Sequence, residues 1–175
     1  MIEASIPIQL VVTDRECTAE TIATRNNIAL VRVERDSYGK DFDRDTYTCE
    51  VRDALIDHEI DLIAMAGFGT ILNKPIYDDF SNRILNTHPS LLPSFPGWHA
   101  VEEALEYGVK VTGCTVHIAT EEVDAGPILA QESIPVLKDD TIETLHERIK
   151  TVERQLYVDT INKIIATNGQ IERDQ

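Results

Sequence analysis

One short apolar segment, from Asp61 to Ala66, most limits the folds open to this chain. After the leading aspartate every residue is apolar, and Gly67 ends the run. The run has the length of a strand and lacks the alternation of a half-exposed one, which is typical of a strand buried on both faces. This segment therefore predicts a strand inside a parallel sheet.

Strand and helix patterns alternate along the rest of the chain. Runs rich in β-branched and apolar residues predict strands over 8–13, 29–33, 83–87, 114–119 and 128–136. Helical spacing and helix-end residues predict helices over 18–26, 44–59, 75–81 and 98–107, and a long one from about residue 140. The alternation predicts an α/β fold with a mostly parallel, Rossmann-like sheet flanked by helices. A chain of 175 residues fits one domain, 1–175.

Local signals mark the ends of the last two helices. Gly108 follows the helix over 98–107 in the position where a glycine usually ends a helix. Asp140 and Glu143, three residues apart, predict a capping box at the start of the last helix. The apolar stripe of that helix is Ile142, Leu145, Ile149, Val152 and Leu156.

The charge and cysteine content limit the class of protein. A net charge of −15 argues against a nucleic-acid-binding protein, which would present a basic surface. The three cysteines form no Cys-x-x-Cys pair, so neither a disulfide framework nor a zinc knuckle is indicated. The N-terminal residues lack the features of a signal peptide, and no apolar stretch approaches the roughly 20 residues that span a bilayer. We expect a reduced, soluble, cytoplasmic protein that binds neither membranes nor nucleic acids.

The stretch from Asn86 to Gly97 carries the clearest chemical pattern. Asn86 and His88 end a predicted strand two residues apart, so both side chains can lie on one face. Three prolines follow within the stretch and predict a stiff loop rather than a helix. An amide can donate to a developing oxyanion, and an imidazole can do the same or move a proton near neutral pH. A buried, satisfied histidine beside a loop-ending asparagine is the alternative interpretation.

Asp124 lies in an acidic loop between the last two predicted strands. Gly126 and Pro127 impose a defined backbone directly after it, whereas Glu121 and Glu122 suit an ordinary solvated turn. A carboxylate beside His88 would orient the ring and favour its charged form. The sequence pattern alone does not bring these two side chains together.

Five stretches occur in the order and spacing found in phosphoribosylglycinamide formyltransferases, and they cover essentially the whole chain. They are Ala66–Leu72 (AGFGTIL), Asn86–His99 (NTHPSLLPSFPGWH), Gly113–His117 (GCTVH), Glu122–Pro127 (EVDAGP) and His146–Tyr157 (HERIKTVERQLY). The chain thus resembles this family of folate-dependent enzymes. The resemblance implies transfer of the formyl group of 10-formyltetrahydrofolate, a co-substrate, to the amine of glycinamide ribonucleotide in purine biosynthesis, without a metal.

The resemblance also implies roles for individual residues. Asn86 and His88 would stabilise the tetrahedral oxyanion, while Asp124 would tune His88 and assist proton movement to the departing folate nitrogen. His117 would support the Asp124 loop. The residues expected to contact the ribonucleotide are Gly67, Pro89 and Glu153. The residues expected to contact the folate are Arg44, Gly69, Thr70, Ile71, Leu72, Leu85, Asn86 and Val123. The partners would be these two small molecules, and a homodimer is left open.

The chain departs from the family pattern in two places. The resembling proteins begin with a strand and a Gly- and Ser-rich loop that holds the substrate phosphate at a helix N-terminus. This sequence has no such loop, so we expect a fold truncated at its N-terminus by one βα unit, about 25–30 residues. In addition, Gly69 and Thr70 stand where many relatives carry a bulkier residue and an arginine, which predicts altered detail in the folate site.

Other functions remain open at this point. A formyltetrahydrofolate deformylase would use the same three side chains with water as acceptor, although resembling deformylases have a second histidine where this chain has Pro89. A truncated, inactive remnant is another reading. Methionyl-tRNA formyltransferase is disfavoured by the net charge of −15. A metal-dependent hydrolase could use the ligands His88, His99, His117 and Asp124, but no His-Glu-x-x-His spacing supports it.

Overall fold

The computed structural model describes residues 1–37 and 39–167. Strands and helices alternate in the order β1 (Leu10–Thr13), α1 (Thr18–Arg25), β2 (Ala29–Arg32), α2 (Arg44–Asp57), β3 (Ile63–Ala64), α3 (Lys74–Asp79), β4 (Ile84–His88), α4 (Ala100–Tyr107), β5 (Val111–Ile118), β6 (Ile128–Pro135) and α5 (Ile142–Ala166). Every strand and helix predicted from the sequence is present, with shifted ends. The α/β class is confirmed.

The chain divides into two compact units. The first comprises Met1–Ile63 and Gly67–Arg83, and the second comprises Ala64–Ala66 and Ile84–Gln175. The single catalytic domain over 1–175 stays a prediction. In the described residues no helix has both the length and the apolar character needed to cross a membrane.

The first unit contains a parallel pair of strands. β1 pairs with β2 from Leu10 opposite Ala29 to Thr13 opposite Arg32. In the same unit, α2 begins after Asp43, whose carboxylate accepts a hydrogen bond from the backbone N–H of Thr46 at 3.0 Å. This cap satisfies one of the N–H groups that a helix start leaves without a partner. The helix buries Tyr47, Val51 and Leu55, at the helical spacing that predicted it.

The second sheet has the order β3-β4-β5-β6. The backbone N–H groups of Ile63 and Met65 donate to the carbonyls of Arg83 and Leu85, so the bonds advance in the same direction on both strands, as in a parallel pair. β4 with β5 and β5 with β6 pair antiparallel. The predicted parallel pairing therefore holds for β1 with β2 and for β3 with β4. The pairs of β4 with β5 and of β5 with β6 are antiparallel, and the last is a hairpin.

Helices α4 and α5 cover one face of the hairpin formed by β5 and β6. The core there consists of Val101, Cys114, Ile134, Leu145 and Ile149, with Leu105, Val136, Val152 and Leu156 packed against it. Four of the five positions in the predicted α5 stripe therefore pack as expected. The prediction is wrong for Ile142, which is 42% exposed. It is the first residue of the helix and precedes the turn that reaches the sheet.

The predicted capping box at Asp140 and Glu143 is also wrong by one residue. Thr141 is the N-cap of α5: its hydroxyl accepts from the backbone N–H of Thr144, and the Thr144 hydroxyl accepts from the backbone N–H of Thr141. The physical reason is that the Asp140 carboxylate accepts from the backbone N–H of Leu137 at 2.7 Å, from the Thr144 hydroxyl at 3.1 Å and from the Arg148 guanidinium, and not from a backbone N–H of the first helical turn.

Tyr157 fixes α5 to the two strands that precede the candidate site. Its hydroxyl lies 3.1 Å from the carbonyl oxygen of Met65 and 2.9 Å from that of Leu85. Burial is the main cause that raises the pKa of this phenol, so the hydroxyl keeps its hydrogen and donates to the carbonyls. Since Leu85 directly precedes Asn86, this contact helps to fix the position of the site.

Candidate active site

Two rows of side chains cross the second sheet at the C-terminal end of β4. Asn86 and His88 lie on the same face because side chains alternate along a strand. In the antiparallel register, Asn86 is opposite His117 and His88 is opposite Thr115. Directly opposite residues share a face, so both pairs lie on one side of the sheet. The register thus assembles the polar groups that the sequence placed far apart.

Asn86 and His117 form the first row. The amide nitrogen of Asn86 lies 3.3 Å from Nε2 of His117, and Nδ1 of His117 lies 3.0 Å from the carbonyl oxygen of Ile118. A carbonyl can only accept, so Nδ1 carries the hydrogen and the neutral ring presents a lone pair at Nε2. The Asn86 amide therefore donates one hydrogen to His117, which determines the orientation of the amide.

His88 is held by a backbone carbonyl on one side and a carboxylate on the other. Its Nε2 lies 2.7 Å from the carbonyl oxygen of Phe95, so Nε2 carries a hydrogen. Nδ1 lies 3.3 Å from Oδ2 of Asp124, and both side chains are only 6% exposed. Nδ1 is thus the ring nitrogen that remains for accepting and releasing a proton. A proton there would make an imidazolium stabilised by the adjacent carboxylate.

Asp124 reaches this position from the loop between β5 and β6. Its φ of 56° is in the left-handed region, which is uncommon for a residue with a side chain. Oδ2 accepts a hydrogen bond from the backbone N–H of Gly97 at 2.8 Å, and Oδ1 lies 3.7 Å from Nε2 of His117. The loop approaches β5 closely at Gly126, where an added Cβ would lie 1.8 Å from the carbonyl oxygen of Ile118. Glycine is therefore required there.

The proline-rich loop contacts both His88 and Asp124 through its backbone. Phe95 and Gly97 have φ values of 52° and 96°, both left-handed. The Phe95 carbonyl accepts from His88, and the Gly97 N–H donates to Asp124. The sequence predicted a stiff loop but not these contacts, because every residue has a carbonyl and nearly every residue has an N–H.

Burial gives His117 a measurable effect on stability. Desolvation is the largest cause that lowers its pKa below the ordinary 6.5, so the unfolded chain binds the proton at a higher pH than the folded protein. The stability linked to neutral His117 is complete above about pH 6.5 and is lost as the pH falls below it. We expect the urea-derived free energy of unfolding to fall more between about pH 7.5 and about pH 5.5 in the wild type than in His117→Gln. Equal losses in the two proteins would contradict this.

A comparison with known families decides the class of protein. The sequence model described as formyl transferase matches residues 3–161. The chain belongs to the formyl transferase family.

Individual proteins that are similar to this chain agree with that assignment. The chain is 47% identical over 156 residues to a phosphoribosylglycinamide formyltransferase of Mycobacterium tuberculosis, covering 89% of this chain and 71% of the relative. It is similar to the crystal structure of glycinamide ribonucleotide transformylase 1 from Symbiobacterium toebii, with a TM-score of 0.87, 36% identity, and coverage of 99% and 81%. A formyltetrahydrofolate deformylase from Pseudomonas syringae is also similar, with a TM-score of 0.79, 28% identity, and coverage of 88% and 50%. The resemblance to phosphoribosylglycinamide formyltransferases is confirmed.

The other predicted site residues of the second unit differ in accessibility. Val123 is 49% exposed, Pro89 is half-buried, and the Leu85 side chain is completely buried. The carboxylate of Glu153 accepts a hydrogen bond from the Thr87 hydroxyl at 2.9 Å. Because side chains alternate along β4, Thr87 faces away from Asn86 and His88. In the described structure Glu153 is therefore tied to the opposite face of the strand.

The remaining predicted folate and substrate residues belong to the first unit. Arg44, Gly67, Gly69 and Ile71 are exposed, while Leu72 is buried. Thr70 is only 2% exposed. Its hydroxyl lies 3.3 Å from a carboxylate oxygen of Asp14 and 3.2 Å from a guanidinium nitrogen of Arg35. The Thr70 side chain is therefore engaged inside its own unit, and its backbone is the part left for a ligand.

The side-chain geometry of the described residues bears on the metal-dependent hydrolase alternative. Among residues 1–37 and 39–167, no group of three or more His, Cys, Asp or Glu side chains is arranged to hold a metal ion. His99, one of the alternative ligands, pairs instead with Glu102 at 3.0 Å. The hydrolase alternative therefore has no candidate ligand set in the part of the chain that is described.

Proposed function

We propose that this chain transfers the formyl group of 10-formyltetrahydrofolate to the amine of glycinamide ribonucleotide, giving formylglycinamide ribonucleotide and tetrahydrofolate. Membership of the formyl transferase family supports an acyl transfer with a folate donor. The observation that carries the proposal is the convergence of Asn86, His88 and Asp124 at one end of β4. An amide donor, an imidazole and a carboxylate at one place are the groups such a transfer needs.

The reaction balances without an oxidant or a metal. The amine nitrogen forms a bond to the formyl carbon, and the bond from that carbon to the folate nitrogen breaks. One proton leaves the attacking nitrogen and one reaches the departing nitrogen, so no net proton is consumed. The formyl oxygen carries negative charge only in the tetrahedral intermediate. Groups that stabilise this charge and move one proton therefore suffice.

The contacts of Asn86 support its proposed role as an oxyanion donor. One amide hydrogen is directed to Nε2 of His117. Within the described residues the second amide hydrogen has no acceptor, which leaves it to donate to a substrate oxygen. A donor oriented before the charge develops stabilises the intermediate without rearrangement. We therefore assign Asn86 to the oxyanion and His117 to fixing the direction of its amide.

His88 and Asp124 are proposed to act as a unit. With Nε2 hydrogen-bonded to Phe95, Nδ1 is the nitrogen that holds the mobile proton. A protonated Nδ1 donates to the oxyanion and supplies the proton for the departing folate nitrogen. Asp124 Oδ2, 3.3 Å from Nδ1, stabilises the imidazolium. The Gly97 N–H donates to the same oxygen and holds the carboxylate in place. The carboxylate is thus placed to stabilise the positive charge that proton transfer puts on the ring.

The binding roles are also proposals, and they follow from the resemblance to phosphoribosylglycinamide formyltransferases. We propose that Gly67, Pro89 and Glu153 contact the ribonucleotide. Contact by Glu153 requires its carboxylate to give up the hydrogen bond from the Thr87 hydroxyl. For the folate we keep the contacts that the resemblance implies: in the first unit Arg44 and the backbone of 69–72, and in the second unit Val123, with Leu85 contributing only backbone because its side chain is completely buried.

Deformylase activity is the second candidate, because a deformylase has a similar structure. In that reaction water replaces the amine, and formate is released. The two candidates differ in one measurable requirement, since transfer needs the ribonucleotide and hydrolysis does not.

The deciding experiment measures products from 10-formyltetrahydrofolate by mass spectrometry, with and without glycinamide ribonucleotide. We expect formylglycinamide ribonucleotide and tetrahydrofolate in equal amounts, and formation of tetrahydrofolate at least tenfold slower when the ribonucleotide is omitted. Tetrahydrofolate and formate at the same rate in both mixtures would replace the proposal with hydrolysis. No product from a protein that circular dichroism shows to be folded would contradict both functions and favour the inactive remnant.

A further inference from the structure

A third side chain continues the row that contains His88. His88 is opposite Thr115 on β5, and Thr115 is opposite Gln131 on β6. These three side chains therefore lie on the same face of the sheet, side by side. Thr115 is completely buried, whereas Gln131 is exposed at the outer end of the row.

Gln131 and Thr115 hold the proline-rich loop by a saturated set of hydrogen bonds. The amide nitrogen of Gln131 lies 2.9 Å from the carbonyl oxygen of Leu92 and 3.0 Å from Oγ1 of Thr115. The Thr115 hydroxyl donates to the carbonyl of Ser90 at 2.7 Å and accepts from the N–H of Leu92 at 3.0 Å. Because the Leu92 carbonyl only accepts, the Gln131 atom facing it is the NH₂ group, and both its hydrogens are used.

The same loop continues to the carbonyl that binds His88. The Ser90 hydroxyl donates to the carbonyl of Ser94 and lies 3.4 Å from that of Phe95. The Phe95 carbonyl accepts the Nε2 hydrogen of His88 at 2.7 Å. A continuous series of hydrogen bonds and short loop segments therefore runs from Gln131 to the ring nitrogen of His88.

We infer that Gln131 is a positioning residue for His88, acting through the loop that presents the Phe95 carbonyl. By holding Leu92 and Thr115, it keeps that carbonyl where it selects the ring form with hydrogen on Nε2. This form leaves Nδ1, the nitrogen beside Asp124, to take up and release the proton. The kinetic consequence rests on the proposed formyl transfer, but the effect on the imidazole does not.

The test compares the wild type with Gln131→Leu and Gln131→Glu. Leucine keeps much of the volume and removes both donors, while glutamate places a carboxylate oxygen against the Leu92 carbonyl. Ser133→Ala is the matched control, because Ser133 is exposed on the same face of the same strand two residues away. The ¹⁵N chemical shifts of the His88 ring report directly which nitrogen carries the hydrogen, and Tm verifies folding.

For the wild type and Ser133→Ala we expect the neutral ring of His88 to carry its hydrogen on Nε2. For Gln131→Leu we expect a mixture with the Nδ1 form, and a fall in kcat of about 5- to 10-fold with a smaller change in KM. Gln131→Glu should have the larger effect on both readouts.

Two results separate this proposal from the proposed function. An unchanged His88 spectrum in folded Gln131→Leu and Gln131→Glu overturns the positioning role, whatever the kinetics. An altered spectrum in a protein whose wild type transfers no formyl group supports the positioning role and contradicts the proposed function.

Discussion

Replacing His88 with asparagine is expected to lower kcat for formyl transfer by about a thousandfold. An asparagine amide lies near the position of Nδ1 and can donate a hydrogen bond, but it carries neither charge nor a mobile proton. The substitution also removes the Nε2 donor of the Phe95 carbonyl. The loss combines missing proton transfer with weaker stabilisation of the oxyanion, and it should appear in kcat rather than in KM.

A second variant separates the two nitrogens of the ring. In His88→Gln the longer amide reaches toward Phe95 and can preserve that contact, while the Nδ1 position beside Asp124 is left without a polar atom. Because the proposed chemistry belongs to Nδ1, we expect His88→Gln to be at least as slow as His88→Asn. His58→Asn, at the exposed histidine that directly follows α2 in the other unit, serves as the control and should leave kcat unchanged. Wild-type kcat in folded His88→Asn would remove His88 from the catalytic groups.

The sequence alone was sufficient to predict the strands, the helices and the placement of Asn86 and His88 on one face of a strand. Asn86 and His88 could be placed on one face because strand alternation depends only on their spacing. Their position at the end of a strand followed from the apolar run before Asn86 and the prolines after His88. These are local patterns, and the structure has β4 ending at His88.

The rest of the site depended on register, which no local pattern contains. His117 is opposite Asn86 only because β4 and β5 pair antiparallel in one particular alignment, and a shift by one residue would turn it to the other face. The meeting of Asp124 with His88 came from the resemblance to a known family and not from the residues. Gln131 had no sequence signal at all, since an exposed glutamine on an edge strand is usually an ordinary surface residue.

Asp124→Asn is the second substitution for which we expect a large effect, a loss of two to three orders of magnitude in kcat. The change keeps the shape of the side chain, and the remaining carbonyl oxygen can still accept from the Gly97 N–H. It removes the negative charge 3.3 Å from Nδ1 of His88, in a pair whose side chains are only 6% exposed. A group that stabilises charge only in the transition state lowers kcat by the whole of that stabilisation when it is removed, and two to three orders of magnitude correspond to about 3–4 kcal/mol.

The new amide would also disturb Asn86. Its NH₂ group would replace Oδ1, which lies 3.7 Å from Nε2 of His117, and that lone pair already accepts from the Asn86 amide. Two donors would then compete for one acceptor, so Asn86 loses its fixed direction in the same variant. Asp124→Glu is the informative partner, because it keeps the charge but displaces it by one methylene in a buried site. We expect its kcat to lie between those of the wild type and Asp124→Asn. If folded Asp124→Asn instead stays within about fivefold of the wild-type kcat, the carboxylate has no catalytic role, and His88 acts without it.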